Sequence, residues 1–167
     1  MKRKYFLMVT ALCLAIFLGL ANAQEYRISD YDFVWHVARA GDIAVDVQEN
    51  PKGVSIVLAG AGGGLARLAM TPLQAVAVAD VLKKTREFYD VQMKKKDPNM
   101  ANKVSAGDHT VPFSSSRGRN FKVNVRKSVV GALVAMDMDQ ALKMVTTMKD
   151  SEKLVRLVNE RIKPQQP

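Results

Sequence analysis

The chain contains few of the residues from which redox, metal and thiol-based catalytic centres are built. Its 167 residues include one cysteine and two histidines, which excludes a disulfide framework, a zinc ribbon and a Cys/His centre of several residues. Only 7% of the residues are aromatic, and 16 acidic residues are outnumbered by 25 Lys and Arg. The 48% of apolar residues can form a core, and the excess of cations predicts attraction to anionic partners.

The first 23 residues are typical of a secretory signal peptide. Lys2-Arg3-Lys4 precedes an uncharged, mostly apolar run over 5–20, and Ala21-Asn22-Ala23 gives a cleavage site before Gln24. The run is short for a membrane span, which disfavours the alternative of an uncleaved anchor. Cleavage would remove the one cysteine, Cys13, and lower the net charge from +9 to +6. We therefore expect a basic periplasmic or secreted protein with no remaining membrane span.

Two parts of the chain are similar at an offset of 66 positions. Self-similarity at a fixed period is the signature of repeated structural units. The sequence therefore predicts an internal duplication, with a first repeat over 24–96, a second over 97–163 and a tail over 164–167. The matching pairs include Gly41-Asp42 with Gly107-Asp108, Ala69-Met70 with Ala135-Met136, and Gln74-Ala75 with Gln140-Ala141.

Each repeat is predicted to contain an antiparallel β-meander. Apolar residues alternate with small or polar ones over 43–47, as in a half-buried strand. The turn Asn50–Gly53 and the β-branched run Val54–Leu58 then predict a hairpin. The second repeat shows the same alternation over 121–125. Its first strand would fall on Asn99–Ser105, a poor strand former, so three and four strands per repeat both stay open.

A helix is predicted to follow each meander. Thr71 offers the hydroxyl of an N-cap, Pro72 occupies the first helical position and Gln74 the third, which together predict a capping box. Asp137 and Gln140 predict the same arrangement in the second repeat. The predicted fold class is therefore α+β, with two tandem antiparallel β-meander-plus-helix repeats (βββα or ββββα, twice).

The first repeat combines a Lys52-Gly53 hairpin turn with a strand that runs into a helix as Leu68-Ala-Met-Thr-Pro-Leu-Gln74. With these features, the arrangement resembles the Whirly and transcriptional positive-cofactor superfamily of single-stranded DNA-binding folds. The resemblance implies two units that associate through their helices, with nucleic acid lying across exposed sheet faces. Here the units would be fused in one chain, as a monomeric pseudo-dimer or a homodimer.

The second repeat carries the densest cluster of basic residues. Lys122 and Arg126 alternate with Phe121, Val123 and Val125, so they project to the opposite face of the predicted strand. Such a face could bind phosphates, although a merely solvated sheet face has the same pattern. The outward positions of the first hairpin lack basic and aromatic residues. The predicted nucleic-acid-binding residues are Arg117, Arg119, Lys122, Asn124, Arg126 and Lys127.

Other patterns favour structural roles. Phe33 and Trp35 share one strand face and are predicted to lie in the core, as are Phe113 and Phe121. His109, beside an aspartate, is predicted to be a surface residue. The segment Gly60–Gly64 lacks the Lys-Ser/Thr that follows a phosphate-binding loop and predicts a flexible hairpin connection.

The sequence offers no motif of a catalytic or metal centre. It has no nucleophile elbow, no HExxH and no paired-carboxylate signature, and neither histidine has a second ligand at a metal-binding spacing. We therefore predict a non-enzymatic binding module without cofactor or metal, whose partner is an anionic polymer such as single-stranded nucleic acid. The alternative is a scaffolding role in which the partner is another protein of the cell envelope.

Overall fold

A computed structural model describes residues 30–61, 66–95, 99–127 and 131–162. Within these residues two four-stranded antiparallel sheets, each a meander in chain order, are each followed by two helices, so the fold is α+β with two tandem β-meander-plus-helix units. The predicted signal peptide, the tail and residues 62–64 of the glycine-rich segment lie outside the described residues. The elements are β1 Phe33–Ala40, β2 Ile43–Asn50, β3 Gly53–Ala59, β4 Arg67–Met70, α1 Pro72–Leu82, α2 Thr85–Lys95, β5 Asn99–Ala106, β6 His109–Ser116, β7 Arg119–Arg126, β8 Leu133–Met136, α3 Met138–Lys149 and α4 Ser151–Ile162.

Each strand and helix of the second unit begins 66 residues after its counterpart in the first unit. The four-strand alternative is therefore correct for both units. Strand β5 forms despite its weak strand propensity because it pairs with β6 along its whole length, from Asn99 opposite Ser116 to Ala106 opposite His109. Pairing context commonly outweighs intrinsic strand propensity. Descent of the two units from one duplicated ancestor stays a prediction.

Both predicted capping boxes are confirmed. The backbone N–H of Gln74 donates to Thr71 Oγ1 at 3.2 Å, and the N–H of Thr71 donates to Gln74 Oε1 at 2.9 Å. Asp137 and Gln140 make the same reciprocal pair at 2.8 and 2.9 Å. These caps satisfy helix-end donors and fix where α1 and α3 begin.

The single helix expected in each unit is divided in two. Two buried hydroxyl residues, Thr85 and Ser151, stand 66 positions apart at the starts of α2 and α4. Thr85 Oγ1 donates to the carbonyl oxygen of Leu82 at 2.6 Å, and Ser151 Oγ donates to the carbonyl oxygen of Met148. Each hydroxyl thus satisfies a carbonyl at the end of the preceding helix, where the chain changes direction.

The second helix of each unit lies on the sheet of the other unit. Phe88 of α2 stacks on Phe113 of β6 at a centroid distance of 4.4 Å, and Tyr89 meets the edge of Phe121 of β7 at 5.3 Å. Helix α4 in turn packs on β2 and β3, with Leu154 partly buried against the core. The helix predicted after each meander therefore does not close its own sheet alone: α2 and α4 pack on the sheet of the other unit, and α1 and α3 contact strands of both sheets. Buried residues from both units form one hydrophobic cluster.

A reciprocal pair of hydrogen bonds also joins the units, and we call it the Gln–Asp latch. Gln74 Nε2 donates to Asp108 Oδ2 at 3.0 Å, and Gln140 Nε2 donates to Asp42 Oδ1 at 2.6 Å. Each capping glutamine therefore reaches the Gly-Asp turn of the opposite unit. Gly41 has a φ of +63°, and a Cβ at this position would lie 3.0 Å from Gln140 Nε2. Both the turn and the latch therefore require glycine there.

Of the two aromatic residues of β1 that were predicted to lie in the core, only one does so. Trp35 is half-buried and packs against the core, as predicted, but Phe33 is 53% exposed. The rings of Tyr31, Phe33 and Trp35 follow one another at centroid distances of 5.4 and 6.0 Å. Phe33 stays exposed because it faces the end of the sheet, opposite Glu49, beyond the apolar part of β2.

Candidate functional site

Strand β7 separates apolar and polar side chains to its two faces, as its alternation predicted. Val123 and Val125 are fully buried on the face that meets the helices. Lys122 is exposed and Asn124 and Arg126 are half-buried on the opposite, outer face of the second sheet. The structure therefore brings these three predicted residues together in one row along a central strand.

Neighbouring strands add hydroxyl groups and a further cation to this face. Ser114 lies opposite Lys122, and Thr110 lies opposite Arg126, so each cation has a hydroxyl residue as its cross-strand partner. Lys103 of β5 is exposed opposite Pro112 and joins the same face. Lys103 was missed in the sequence because β5 itself was in doubt. We call the surface formed by Lys103, Lys122 and Arg126 the basic face.

The turn between β6 and β7 places two more of the predicted residues at one end of the basic face. Arg117 and Gly118 have φ values of 50° and 63°, as a type I′ hairpin turn requires, and Arg119 pairs with Ser116. A left-handed conformation costs a non-glycine residue about 1 kcal/mol. The chain therefore holds an arginine where glycine or asparagine would be more stable, and both Arg117 and Arg119 are exposed.

The basic face is not neutralised by the sheet that carries it. The four strands of the second sheet contain Lys103, Arg119, Lys122 and Arg126 and no acidic residue. Within the described residues none of these four forms an ion pair with a carboxylate. In addition, Arg126 Nε is buried without a hydrogen-bond partner among the described residues.

Lys127 is separated from the other predicted residues by the end of β7. It lines an open cleft of about 490 Å³ between the two sheets, which we call the seam cleft. Its other walls come from both units. They are Arg67, Leu68 and Ala69 of β4, with Asp108, Gly131 and Ala132 of the second unit.

The basic face has no aromatic side chain among the described residues of the sheet. Phe113 and Phe121 are buried on the helix side, as predicted from the sequence. Phe113 lies between Phe88 and Phe121, at centroid distances of 4.4 and 6.4 Å. The face can therefore hold phosphates by charge and hydrogen bonds, but it offers no ring on which a base could stack.

The prediction that His109 lies on the surface is wrong, because the residue is fully buried at the start of β6. Neither of its ring nitrogens has a hydrogen-bond partner within the described chain. Burial lowers the pKa of His109, the nearby charge of Lys127 lowers it further, and Asp108 opposes the shift. The counterpart of His109 in the first unit is Ile43, which occupies the same buried position.

The first sheet carries a different set of side chains on its outer face. Asp46 and Val57 occupy outward positions of the first hairpin and lie on this face, but both are almost fully buried. The Asp46 carboxylate is contacted by His36 Nδ1 at 2.8 Å and by Arg67 Nη2 at 3.9 Å. Arg39 and Arg67 stand on the two edge strands of the sheet, outside the central hairpin to which the sequence prediction was confined.

The described residues contain no group of three His, Cys, Asp or Glu side chains that could hold a metal ion. Of the helices that the structure describes, none is both long and apolar enough to cross a membrane. No protein-family model matches the chain, and no curated protein is found to be similar to it. The resemblance to single-stranded DNA-binding folds therefore rests on the topology and the residues described above, and it stays a prediction.

Proposed function

We propose that this protein is an exported, non-enzymatic binding module that holds an anionic polymer on the basic face of its second sheet. Single-stranded nucleic acid is the polymer that the resemblance to Whirly-type folds favours. Export is inferred from the signal-peptide pattern of residues 1–23. The residues in contact with the polymer would be Arg117, Arg119, Lys122, Asn124 and Arg126, together with Lys103, and Lys127 would lie at the edge of this surface.

One observation carries the proposal: four cations stand on a sheet whose strands contain no acid. On an ordinary solvated face, charges of both signs are interspersed and long cations find carboxylate partners. Here the hydroxyls of Thr110 and Ser114 flank Arg126 and Lys122 instead. Phosphate oxygens can accept hydrogen bonds from both kinds of group, without any reading of base sequence.

The proposal predicts strong dependence on salt and on two side chains. Binding of oligothymidylate should weaken with salt along a log–log slope of about −0.7 per phosphate contacted. The double variant Lys122→Glu/Arg126→Glu should lower the affinity by about 100-fold or more, because two attractions become repulsions. Fluorescence anisotropy measures both effects.

A charge-matched control separates the basic face from the overall charge. Lys143→Glu/Lys153→Glu changes the net charge by the same amount at two exposed helix positions. It should reduce the affinity only a few-fold at moderate salt, where distant charges are screened. Equal losses in the two double variants, or retention of oligonucleotide by Lys122→Glu/Arg126→Glu, would reject the basic face as the site.

A protein partner in the cell envelope is the second candidate, and the edge strand β1 favours it. Phe33, Val34 and Val37 are all exposed on this strand, and its outer edge has no neighbouring strand in the first sheet. Exposed apolar edge strands are surfaces to which other chains add. Retention of a defined envelope protein that is lost in Val34→Lys/Val37→Lys, with no retention of oligonucleotide by the unaltered protein, would favour this function over the first.

A further inference from the structure

We propose that the polymer bound on the basic face continues through the seam cleft onto the outer face of the first sheet, where Arg67 holds its backbone. This inference rests on the proposed function and extends it, because it adds a second binding surface and a direction for the bound strand. The inference is argued from two clefts that share one wall residue, and from the different side chains in equivalent cross-strand rows of the two sheets.

The seam cleft is lined by residues of both units. Lys127, which follows the last residue of β7, lies on the side of the second unit, and Arg67, the first residue of β4, lies on the other. The floor between them consists of small or apolar residues such as Ala69 and Ala132. The one carboxylate that lines this cleft, Asp108, already accepts a hydrogen bond from Gln74. Because Lys127 and Arg67 carry two positive charges and Asp108 carries one negative charge, the lining of the seam cleft has a net positive charge that attracts phosphate.

A second open cleft of about 490 Å³ begins at the same arginine. It covers the outer face of the first sheet and is also lined by Arg67, with Arg39 on its far side, and we call it the trough. The two clefts therefore share Arg67 as a wall residue, with Lys127 lining one of them and Arg39 lining the other.

The cross-strand registers explain why the first sheet has a depression where the second sheet has cations. One row of the first outer face consists of Arg39, Ala44, Ala59 and Arg67. The equivalent row of the second face consists of Ser105, Thr110, Arg126 and Leu133. In this row of the first sheet, the cations stand on the two edge strands and the alanines on the two central strands. The result is a floor of small side chains between two guanidinium groups.

The trough should bind more weakly than the basic face. Two carboxylates, Asp42 and Asp46, also line the trough and offset the positive charge of its arginines, and Asp46 lies 3.9 Å from Arg67 Nη2. His36 holds the other side of this carboxylate. We therefore expect the trough to strengthen the binding of long strands and not to bind short ones alone.

The predicted length of the bound strand follows from the sheet dimensions. Two four-stranded sheets with strands about 4.8 Å apart, joined at the seam, span roughly 30 Å. With a rise of about 3.4 Å per stacked nucleotide, a strand of about nine nucleotides covers both faces. Oligomers much shorter than this can contact one sheet only.

The test compares oligothymidylates of about 5 and about 20 nucleotides, a range of site sizes common for single-strand-binding proteins. The variants are Arg67→Leu and Arg39→Ser, which introduce the residues found at the equivalent positions Leu133 and Ser105. In the unaltered protein the long oligomer should bind more tightly than the short one. The double variant should reduce this long-to-short affinity ratio by about tenfold and lower the salt slope for the long oligomer by about 0.7 per lost contact.

Lys127→Ser provides a second variant, because this exposed residue lies outside the strands and its loss should not disturb the sheet. It should also reduce the long-to-short ratio. An unchanged ratio in both Arg67→Leu/Arg39→Ser and Lys127→Ser, with binding that still depends on Lys122 and Arg126, would overturn this inference alone. Absence of oligonucleotide binding by the unaltered protein would overturn the proposed function and this inference with it.

Discussion

The two sheets of this protein share strand topology but differ in the charge of their outer faces. Strands β1–β4 contain Arg39 and Arg67 against Asp46 and Glu49, so their formal charge is zero. Strands β5–β8 contain four cations and no acid.

The faces that meet the helices are much more alike. Val45 and Val111 are both fully buried, as are the counterparts Met70 and Met136, to within 2% exposure. Packing against the helices therefore restricts the residues on the inner face of each sheet, whereas the residues on the outer face can differ and can form a binding surface. Function should therefore be sought where the two units differ, and stability where they agree.

The largest expected effect tests whether the two units unfold together or separately. Phe113→Ala should cost about 3–5 kcal/mol in the free energy of unfolding, because it leaves a cavity beneath α2, a helix that belongs to the first unit. Trp35, the one tryptophan of the chain, reports on the first sheet. Its fluorescence midpoint in denaturant should fall together with the far-UV circular dichroism midpoint. A Trp35 midpoint that does not move would show that the two sheets unfold independently.

An intermediate effect tests the symmetry of the Gln–Asp latch. Gln140→Glu keeps an acceptor for the capping box but replaces a donor to Asp42 by a like charge, and should destabilise the protein by about 1 kcal/mol. Gln74→Glu should act in the same direction but less, because Gln140 also donates to the carbonyl oxygen of Ala40. Combining Gln140→Glu with Asp42→Asn should restore most of the loss. Neutral single variants in chemical denaturation would mean that the latch does not stabilise the contact between units.

The smallest expected effect is a pH dependence of stability that arises from buried His109. His109 has a lowered pKa in the folded protein, so the unfolded chain binds its proton more readily. Its neutral form is fully compatible with folding above the ordinary histidine pKa of about 6.5. Stability should therefore decrease as the pH falls below that value, until the folded-state pKa is passed. His109→Ile, which installs the residue of the first unit, should be less sensitive between pH values of about 7.5 and 5. An equal loss of stability in both proteins would contradict this role of His109.

Sequence patterns predicted the parts of the fold that depend on local chemistry. Alternation located β2 and β7, and the β-branched run after the Asn50–Gly53 turn located β3. The residue pairs Thr71/Gln74 and Asp137/Gln140 located the starts of α1 and α3. The same alternation placed Lys122, Asn124 and Arg126 on one face, and the structure confirms that placement.

The rest depended on tertiary contacts that no local pattern encodes. Nothing in Thr85–Lys95 indicates which of two similar sheets the helix will cover, because the same apolar stripe fits either one. Strand β5 depends on its partner β6 more than on its own residues. The burial of His109 did have a signal, because residues 109, 111 and 113 alternate onto the buried face, but the polarity of histidine argued against that interpretation.

The exchange of α2 and α4 has a consequence for how the chain is made. Part of the apolar side of the first meander stays open until residues 151–162 have been synthesised and have docked, since α4 packs on β2 and β3 beside α1 and α3. A truncated product that ends before α4 would expose that surface and should aggregate or be degraded, and folding is expected to wait for nearly complete synthesis or translocation.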